Sequence, residues 1–359
     1  MAHVGVIFGG RSVEHQVSIR SARTVVQGLR EAGHQVTPLG IAQDGCWIDA
    51  ARSEQVIAQN ISVIAPEGGP IAPTLRHLID SGVEVLFPIV HGTWGEDGTL
   101  QGLCEMVDIA YAGPGVTASA LAMDKLLFKR QMLAAGVPVV DFEAIRRDEF
   151  EADPRGCIER LERLPLPVFV KPSVGGSSVG IKKVDSRHCQ ETSVRFALQF
   201  DDAVLVEKGV EGRELECAVL GYGTIEASVV GEIVPGNDFY DYADKYLQDR
   251  ARLIAPADLP EPAAARLRDL AVRAFSAIGG VGLARVDFLF EGVEGEDGLY
   301  VNEINTLPGF TSISMYPRLW GLSGVPLPDL VDRLVQIAFQ RHRDRHRLDE
   351  GIKEFLASL

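Results

Sequence analysis

The stretch GLARVDFLFEGVEGEDGLYVNEINTLPG, residues 282–309, predicts two β-strands joined by a polar turn. Successive side chains of a strand point to opposite faces, so Arg285 and Asp287 share one face of the first strand. If the two strands pair symmetrically without a bulge, Asp287 faces Glu303 and Arg285 faces Asn305. The stretch therefore predicts a hairpin that presents two opposed carboxylates, an amide and an arginine on one face.

Two carboxylates that face each other across a sheet repel unless a cation lies between them. Mg²⁺ suits this position because it takes oxygen ligands, binds through one or two carboxylates, and keeps its other positions for water and substrate phosphates. Asp287, Glu303 and Asn305 are therefore predicted metal ligands. The alternative is an exposed polar sheet face on which the arginine forms a salt bridge.

A second candidate element is the loop SVGGSSVG, residues 173–180, which follows Lys171 and lies between two apolar segments that predict strands. Glycines let backbone N–H groups approach phosphate oxygens closely, Ser177 and Ser178 add donors, and the lysine adds a positive charge. A phosphate-binding loop is one interpretation, and an ordinary Gly/Ser connector is the other. The loop matches neither the P-loop pattern nor the protein-kinase motifs.

The N-terminal residues 3–41 predict a strand, a helix and a second strand, which together form a βαβ unit. The segment FGGRSVEHQVS, residues 8–18, lacks the G-x-G-x-x-G pattern, and no acidic residue ends the second strand. We therefore do not expect a dinucleotide site in this unit.

Polar side chains follow two predicted strands of this N-terminal sheet. Glu14 and His15 follow the first strand, and His91 and Glu96 follow the apolar strand 83–90. The carboxyl ends of parallel strands meet at one edge of a sheet, where ligands commonly bind. These side chains therefore predict a substrate pocket, although each of them could also be a solvated loop residue.

The remainder of the chain changes from α/β to a hairpin-rich α+β pattern. Residues 117–136 predict one strong helix closed by Gly136. Further predicted elements are a strand–loop–strand at 167–184, a strand pair joined by a turn at 203–221, a strand at 227–234, a helix from Pro260 to Ile278, and a final helix from about Pro328. The basic residues 340–347 are interpreted as a solvated last helical turn.

The segment DFYDYADKY, residues 238–246, contains three of the seven tyrosines of the chain. Phe239, Tyr242 and Tyr246 lie at i, i+3 and i+7, which is the spacing of an amphipathic helix. Alternatively, an active-site lid needs aromatic area to exclude water and polar groups to complete the site.

Composition excludes several classes of protein. A net charge of −15 over 359 residues argues against a nucleic-acid surface. The five cysteines are scattered without metal-ligand spacing, and no apolar run approaches the length of a membrane span. We therefore expect a cytoplasmic protein with reduced thiols and no nucleic-acid or membrane partner.

Eight motifs together resemble the ATP-grasp superfamily and, within it, the D-alanine:D-alanine ligases. They occur in the order and spacing of that family across essentially the whole chain: FGGRSVEHQVS, HGTWGEDGTLQG, DK at 124–125, VKPSVGGSSVG, VEKGVEGRE, FYDYADKY, GLARVDF and NEINTLPGFTSISMYP. Each motif alone is a weak signal, whereas eight in register are specific. The resemblance implies ligation of two D-alanine molecules through a D-alanyl phosphate, for peptidoglycan precursor synthesis.

The resemblance also implies a three-domain ATP-grasp fold with an N-terminal Rossmann-like parallel sheet. The implied domains are residues 1–113, residues 114–209 with the Gly/Ser loop, and residues 210–359 with the metal site and a lid at about 235–250. ATP would lie between the second and third domains with Mg²⁺, two ions in number, for which Mn²⁺ substitutes. The implied assembly is a homodimer.

The resemblance assigns roles to individual residues. Nucleotide binding is implied for Lys125, Lys171, Ser178, Glu207, Lys208, Glu214, Lys245 and Asn302, with Lys245 at the terminal phosphate. Asp287, Glu303 and Asn305 match the metal ligands of the family, and they are the same three residues that the predicted hairpin places on one face.

The substrate side of the resemblance involves a second set of residues. Glu14 matches the residue that holds the ammonium of the first D-alanine, and His91 lies near its carboxylate. Arg285 and the backbone around Gly309 match groups that stabilise developing negative charge. The remaining implied residues are Ser314 and Met315 at the carboxylate of the second D-alanine, Tyr240 near that substrate, and Tyr246 linked through Ser177 to Glu14.

Two alternatives remain open at this point. A D-alanine:D-lactate or D-alanine:D-serine ligase would share the fold, but the intact DKY of the lid favours D-alanine as acceptor. A nucleotide-binding regulatory module without catalysis would be expected to have lost metal or phosphate ligands. Those residues are all present in the sequence.

Overall fold

The computed structural model describes residues 1–66, 82–235, 252–292 and 298–359. The strands are β1 (His3–Gly9), β2 (Gln35–Ile41), β3 (Val85–Pro88), β4 (Ala110–Tyr111), β5 (Phe142–Arg146), β6 (Val168–Pro172), β7 (Lys182–Val184), β8 (Ala203–Lys208), β9 (Arg213–Tyr222), β10 (Thr224–Val234), β11 (Arg252–Ile254), β12 (Gly282–Phe290) and β13 (Leu299–Asn305). They form three separate sheets.

The α-helices connect and cover these sheets. They are α1 (His15–Glu31), α2 (Ala50–Ala58), α3 (Thr99–Met106), α4 (Val116–Met123), α5 (Lys125–Ala134), α6 (Arg147–Ala152), α7 (Pro154–Arg160), α8 (Gln190–Ala197), α9 (Glu261–Ala277), α10 (Met315–Leu322) and α11 (Leu327–Ala357). Among the described helices, none has an apolar run long enough to cross a membrane.

The N-terminal sheet is parallel, with the strand order β2-β1-β3-β4. Val4, Val6 and Phe8 of β1 are fully buried in a core that α1 covers, as the apolar character of both elements requires. The predicted βαβ unit is confirmed. Because β1 and β3 are neighbours and run in the same direction, the loops after them lie at one sheet edge.

The second sheet has the order β5-β8-β6-β7 and is antiparallel. The predicted strand–loop–strand at 167–184 is confirmed as β6 and β7. The two predicted strands at 203–221 are confirmed as β8 and β9, but the prediction that they form a pair is wrong, because β8 belongs to this sheet and β9 to the third one. Residues 209–212 therefore connect one sheet to another. The alternation of apolar and polar residues within each strand does not show which sheet the strand joins.

The third sheet has the order β11-β10-β9-β12-β13. The predicted hairpin is confirmed, with Arg285 opposite Asn305 and Asp287 opposite Glu303. The assumption that it has no bulge is wrong, because the register shifts directly after Asp287 and leaves Asn302 as an extra residue on β13.

The prediction of one helix over residues 117–136 is wrong, because α4 and α5 are separated by Asp124. This residue has extended backbone angles (φ −86°, ψ 102°) and forms an isolated β-bridge with Val174 of the Gly/Ser loop. Its side chain accepts hydrogen bonds from two N–H groups of the first turn of α5. Gly136 has φ +66°, which confirms the predicted left-handed end of α5.

The C-terminal helix α11 packs against the N-terminal sheet and α1 through Leu330, Leu334 and neighbouring apolar residues. The interpretation of residues 340–347 as a last helical turn is wrong, since the helix continues to Ala357. Arg341 is half-buried, with its guanidinium carbon 3.8 Å from the centre of the Tyr111 ring. The tyrosine segment 238–246 lies outside the described residues.

Candidate active site

A cavity of about 780 Å³ is lined by residues of all three sheets and of the loops beside them. Apolar residues form part of its wall, and polar and charged residues from all three parts of the chain form the rest. Of the predicted site residues, those that line it are Glu14, His91, Glu96, Lys125, Lys171, Ser177, Ser178, Glu207, Lys208, Glu214, Arg285, Asp287, Asn302, Glu303, Asn305, Gly309, Ser314 and Met315. Tyr240, Lys245 and Tyr246 lie outside the described residues.

The predicted metal ligands lie on the β12–β13 hairpin at the floor of this cavity. Asp287 is opposite Glu303 on one side and opposite Glu216 of β9 on the other. The Arg285 guanidinium donates to both carboxylate oxygens of Asp287, at 2.7 and 2.6 Å, and lies 3.1 Å from Glu216 Oε1. Burial lowers the pKa of Arg285, but the charges of Asp287 and Glu216 outweigh it and raise this pKa well above its ordinary value.

Glu216 was missed by the sequence argument. Its position two residues after Glu214 on β9 places both carboxylates on one face of a strand, which is the signal that could have revealed it. Together with Asp287 and Glu303 it forms a row of acidic residues across three neighbouring strands. Such a row needs cations, and Arg285 supplies one of them.

The bulge in β13 explains how two consecutive residues reach the same cavity. Asn302 and Glu303 both line it, although adjacent side chains of a regular strand point to opposite faces. An extra residue in one strand changes the direction of the neighbouring side chains, and bulges are common beside active sites.

Glu207 also lines the cavity and lies between two lysines. Its carboxylate is 2.7 Å from Lys129 Nζ and also forms an ion pair with Lys171 Nζ. Burial raises the pKa of Glu207, but the two lysines overcome this effect and lower it to about 2. The carboxylate therefore stays ionised and fixed in place at neutral pH.

Lys129 is a second residue that was not predicted from the sequence. It lies on α5 and is 1% exposed. Burial lowers its pKa, and the charge of Glu207 opposes that shift. Lys129 does not line the cavity but lies behind Glu207, so it supports a cavity residue from the core side. Its spacing of four residues from Lys125 on one helix was the available signal.

The Gly/Ser loop is tied to the start of α5. Lys125 Nζ donates to the carbonyl oxygen of Gly175 at 2.6 Å, and Ser173 Oγ donates to Asp124 Oδ1 at 2.6 Å. Ser177 and Ser178 have φ values of +52° and +59°. Two successive left-handed non-glycine residues cost about 1 kcal/mol or more each, and such strain is concentrated at functional sites.

Glu14 reaches this loop from the N-terminal sheet. Its Oε2 would be 3.6 Å from a Cβ atom placed on Gly176 and 2.6 Å from one on Gly92. Gly92 has φ +74°, so a larger residue there would be strained and would displace the carboxylate. The absence of a side chain at Gly92, after β3, therefore leaves the space that the Glu14 carboxylate occupies.

His91 is buried, and both of its ring nitrogens have partners. Nδ1 donates to the carbonyl oxygen of Leu307 at 2.8 Å, and Nε2 lies 2.9 Å from Ser21 Oγ. Burial lowers the pKa of His91, but its interaction with Glu96 raises it above the ordinary value. The residue thus connects the end of β3 to the loop that carries Gly309.

The expectation that His15 belongs to a substrate pocket is wrong. It does not line the cavity; its Nδ1 donates to the carbonyl oxygen of Gly10, and its Nε2 accepts a hydrogen bond from the Ile64 N–H. Burial lowers the pKa of His15 and favours the neutral ring. In contrast, Glu14, His91 and Glu96 all line the cavity.

The loop after β13 completes the cavity wall. A Cβ atom on Gly309 would be 2.8 Å from Ser314 Oγ, so a larger residue there would displace the Ser314 side chain. Ser314 Oγ accepts a hydrogen bond from the Thr311 N–H at 3.0 Å. The neighbouring Met315 begins α10.

Comparison with known families identifies the chain. The family model described as "D-ala D-ala ligase N-terminus" matches residues 3–114, and "D-ala D-ala ligase C-terminus" matches residues 132–336. The chain belongs to the D-alanine–D-alanine ligase family.

Similar proteins of this family extend over nearly the whole chain. A D-alanine–D-alanine ligase from Solibacter usitatus is 44% identical over 342 residues, covering 95% of this chain and 97% of the relative. One from Halothermothrix orenii is 41% identical, covering 94% and 98%. The family resemblance predicted from the eight motifs is confirmed.

Solved structures support the same assignment. The D-alanine–D-alanine ligase of Coxiella burnetii has a TM-score of 0.81 at 33% identity and covers 99% of each chain. The VanG D-Ala:D-Ser ligase of Enterococcus faecalis has a TM-score of 0.80 at 31% identity, covering 94% of this chain and 99% of that one. The predicted ATP-grasp fold class is confirmed.

Proposed function

We propose that this protein joins two D-alanine molecules to D-alanyl-D-alanine, converting ATP to ADP and phosphate, as a step of peptidoglycan precursor synthesis. The observation that carries this proposal is the cavity, because eighteen predicted site residues from the three parts of the chain line it together. The names of the relatives support the same reaction.

ATP would bind between the second and third sheets. Lys125 and Lys171 supply positive charge for the phosphates, and the carboxylates of Glu207 and Glu214 receive the adenine and ribose. The ion pairs of Glu207 with its two lysines support this assignment, because they hold the carboxylate in one position before the nucleotide arrives. Ser178, Lys208 and Asn302 complete the nucleotide site.

Asp287, Glu303 and Asn305 fit a hard divalent cation, because all three offer side-chain oxygens on one hairpin. We assign them to Mg²⁺, with two ions per site and Mn²⁺ as a substitute. When bound, such a cation neutralises negative charge on the phosphates. Arg285, held against Asp287, provides a fixed positive charge beside the same site.

The chemistry needs activation because a carboxylate is a poor acylating agent. Phosphoryl transfer from ATP to the carboxylate of the first D-alanine gives an acyl phosphate and ADP. The neutral amine of the second D-alanine then attacks the carbonyl carbon, and phosphate leaves. Arg285 and the backbone N–H groups near Gly309 stabilise the negative charge that develops in these steps.

The two amino acids are positioned by opposite sides of the cavity. Glu14 attracts the ammonium of the first D-alanine, and His91 lies beside its carboxylate. Ser314 and the start of α10 at Met315 receive the carboxylate of the acceptor. Tyr240, Lys245 and Tyr246 are assigned to a lid that excludes water, since the acyl phosphate would otherwise hydrolyse.

Phosphate release from ATP tests the function and the acceptor together. The assay offers D-alanine, D-serine and D-lactate separately and in pairs. We expect release with D-alanine alone, and a loss of at least about 100-fold in Asp287→Asn and Arg285→Ala. ATP binding without D-alanine-dependent turnover would favour a regulatory module. A preference for D-lactate or D-serine as acceptor at neutral pH would overturn the choice of D-alanine.

A homodimeric assembly and a cytoplasmic location are also proposed, on the resemblance to the family alone. Light scattering of the purified chain tests the first, and fractionation of the producing cells tests the second. A monomer at micromolar concentration, or recovery with the membrane fraction, would contradict them.

A further inference from the structure

Three metal-ligating side chains meet on the far side of the N-terminal sheet, away from the active-site cavity. Asp108 lies in the turn after α3, and His342 and His346 lie one turn apart on α11. The Nε2 atoms of both histidines are 3.1 Å from Asp108 Oδ1, and they are 3.3 Å from each other. None of the three residues lines the active-site cavity.

Hydrogen bonds cannot satisfy all three sides of this triangle. Each Nε2 carries either one hydrogen or one lone pair, and an ionised carboxylate oxygen only accepts. If both rings donate to Asp108, nothing joins the two nitrogens. If His342 or His346 accepts instead, its lone pair faces the carboxylate. A single cation can be bound by all three atoms at once.

The distances within the triangle fit a small metal ion. Zinc binds imidazole nitrogen and carboxylate oxygen at about 2.0–2.2 Å, so ligand atoms on a tetrahedral ion are about 3.3 Å apart. The observed separations of 3.1, 3.1 and 3.3 Å are close to that value. Two histidines at i and i+4 on one helix project from the same face and act as a preformed pair.

We propose that Asp108, His342 and His346 form a binding site for a divalent transition-metal ion, with Zn²⁺ as the favoured ion. Two imidazoles and one carboxylate select such an ion over Mg²⁺, which prefers oxygen ligands. The Asp108 side chain is 68% exposed, so water can occupy the fourth position. This proposal does not depend on the proposed ligase function.

The metal would join two parts of the chain that are distant in sequence. Asp108 belongs to the segment between α3 and β4, and the two histidines follow residue 336, where the matched C-terminal family region ends. Two of the positive charges beside the site already have partners: Arg345 pairs with Glu105, and Arg341 stacks on the ring of Tyr111. The ion would therefore hold α11 against the N-terminal sheet.

The test uses the full chain without a histidine tag, stripped with EDTA and titrated with Zn²⁺ in the presence of excess Mg²⁺. We expect one Zn²⁺ per chain, and a dissociation constant at least tenfold higher in His346→Gln and in Asp108→Asn. Asparagine retains the left-handed backbone of Asp108, whose φ is +54°, while removing its charge. A second readout is the visible spectrum of bound Co²⁺, which reports nitrogen ligation.

Two control variants separate this site from other zinc-binding groups. His188→Gln changes an exposed histidine elsewhere, and Asp287→Asn changes the carboxylate assigned to the catalytic metal. Both should leave the zinc stoichiometry unchanged. ATP turnover with Mg²⁺ should be unaffected by His346→Gln. The proposal is overturned if zinc binding is absent, if it persists in both His346→Gln and Asp108→Asn, or if it is lost in Asp287→Asn.

Discussion

Replacing Lys129 with methionine tests how Glu207 is held at the nucleotide end of the cavity. The Lys129 and Glu207 side chains are 1% and 3% exposed, and their charged atoms are 2.7 Å apart. Methionine keeps most of the apolar stem of lysine and removes the charge, so the change isolates the ion pair from packing. Among the described residues, Lys171 is then the remaining ion-pair partner of Glu207.

The expected loss of folding stability depends on how deeply the ion pair is buried and on the ion-pair partner that Glu207 keeps. Removing one member of a buried ion pair typically destabilises by about 3–5 kcal/mol, because the other charge stays buried and uncompensated. Lys171 still neutralises Glu207, so we expect a smaller loss of about 2–4 kcal/mol. The double variant Lys129→Met/Glu207→Gln should lose less stability than the two single variants lose in total, because the two side chains are in contact in the wild type.

Native-state hydrogen exchange of α5 and β8 measures this loss locally, which avoids assuming two-state unfolding of a chain with three sheets. A loss of about 2–4 kcal/mol corresponds to roughly 30- to 1,000-fold faster exchange at the most protected amides. Lys353→Met, at an exposed position of α11, is the matched control and should change stability by less than about 0.5 kcal/mol. Exchange in Lys129→Met that equals the control, or strict additivity in the double variant, would refute the reasoning.

Three further predictions concern the pH dependence of Glu207 and two contacts elsewhere in the chain. The pKa of Glu207 is about 2 in the folded protein and 4.5 in the unfolded chain. The ionised carboxylate therefore stabilises the fold fully above pH 5, and this stabilisation is lost as the pH falls toward 2. Over that range, the difference in unfolding free energy between wild type and Glu207→Gln should narrow by up to about 3 kcal/mol in urea titrations. Gly92→Ala should lower the unfolding free energy by about 1–2 kcal/mol, because Gly92 has a left-handed backbone, and should raise the KM for D-alanine, because the new methyl group displaces Glu14. The control is Gly102→Ala in α3, which has open space around it and should leave the melting temperature unchanged or raise it in thermal scans. Tyr316→Phe removes a buried 3.1 Å hydrogen bond to a β9 carbonyl and should lower the unfolding free energy by about 0.5–1.5 kcal/mol in urea; no loss would show that the hydroxyl is not needed there.

Local sequence patterns were sufficient to predict features that depend on residues close together in the chain. Period-two alternation predicted that Asp287 faces Glu303, and the register of β12 and β13 confirms it. The glycine after the α5 segment predicted a left-handed helix end, and Gly136 has that conformation. The family and the fold class also followed from short motifs, because several of them occurred in one order.

Contacts between distant segments were not predictable in this way. Asp124 interrupts a continuous helical pattern because it forms a bridge with Val174 of the Gly/Ser loop. The strands β8 and β9 look like a hairpin in sequence but join different sheets. In both cases a partner far along the chain overrides the local preference.

The sequence by itself determined which residue types could bind a nucleotide, a metal ion and an amino acid, and in which family they occur. Only the tertiary structure decided that Lys129 lies behind Glu207, that Glu216 joins the acidic row beside Asp287, and that His15 belongs to the core. It also decided that Asp108 meets two histidines of α11. The physical reason is that charge pairing and burial depend on distances in space, which alternation and spacing along one segment do not specify.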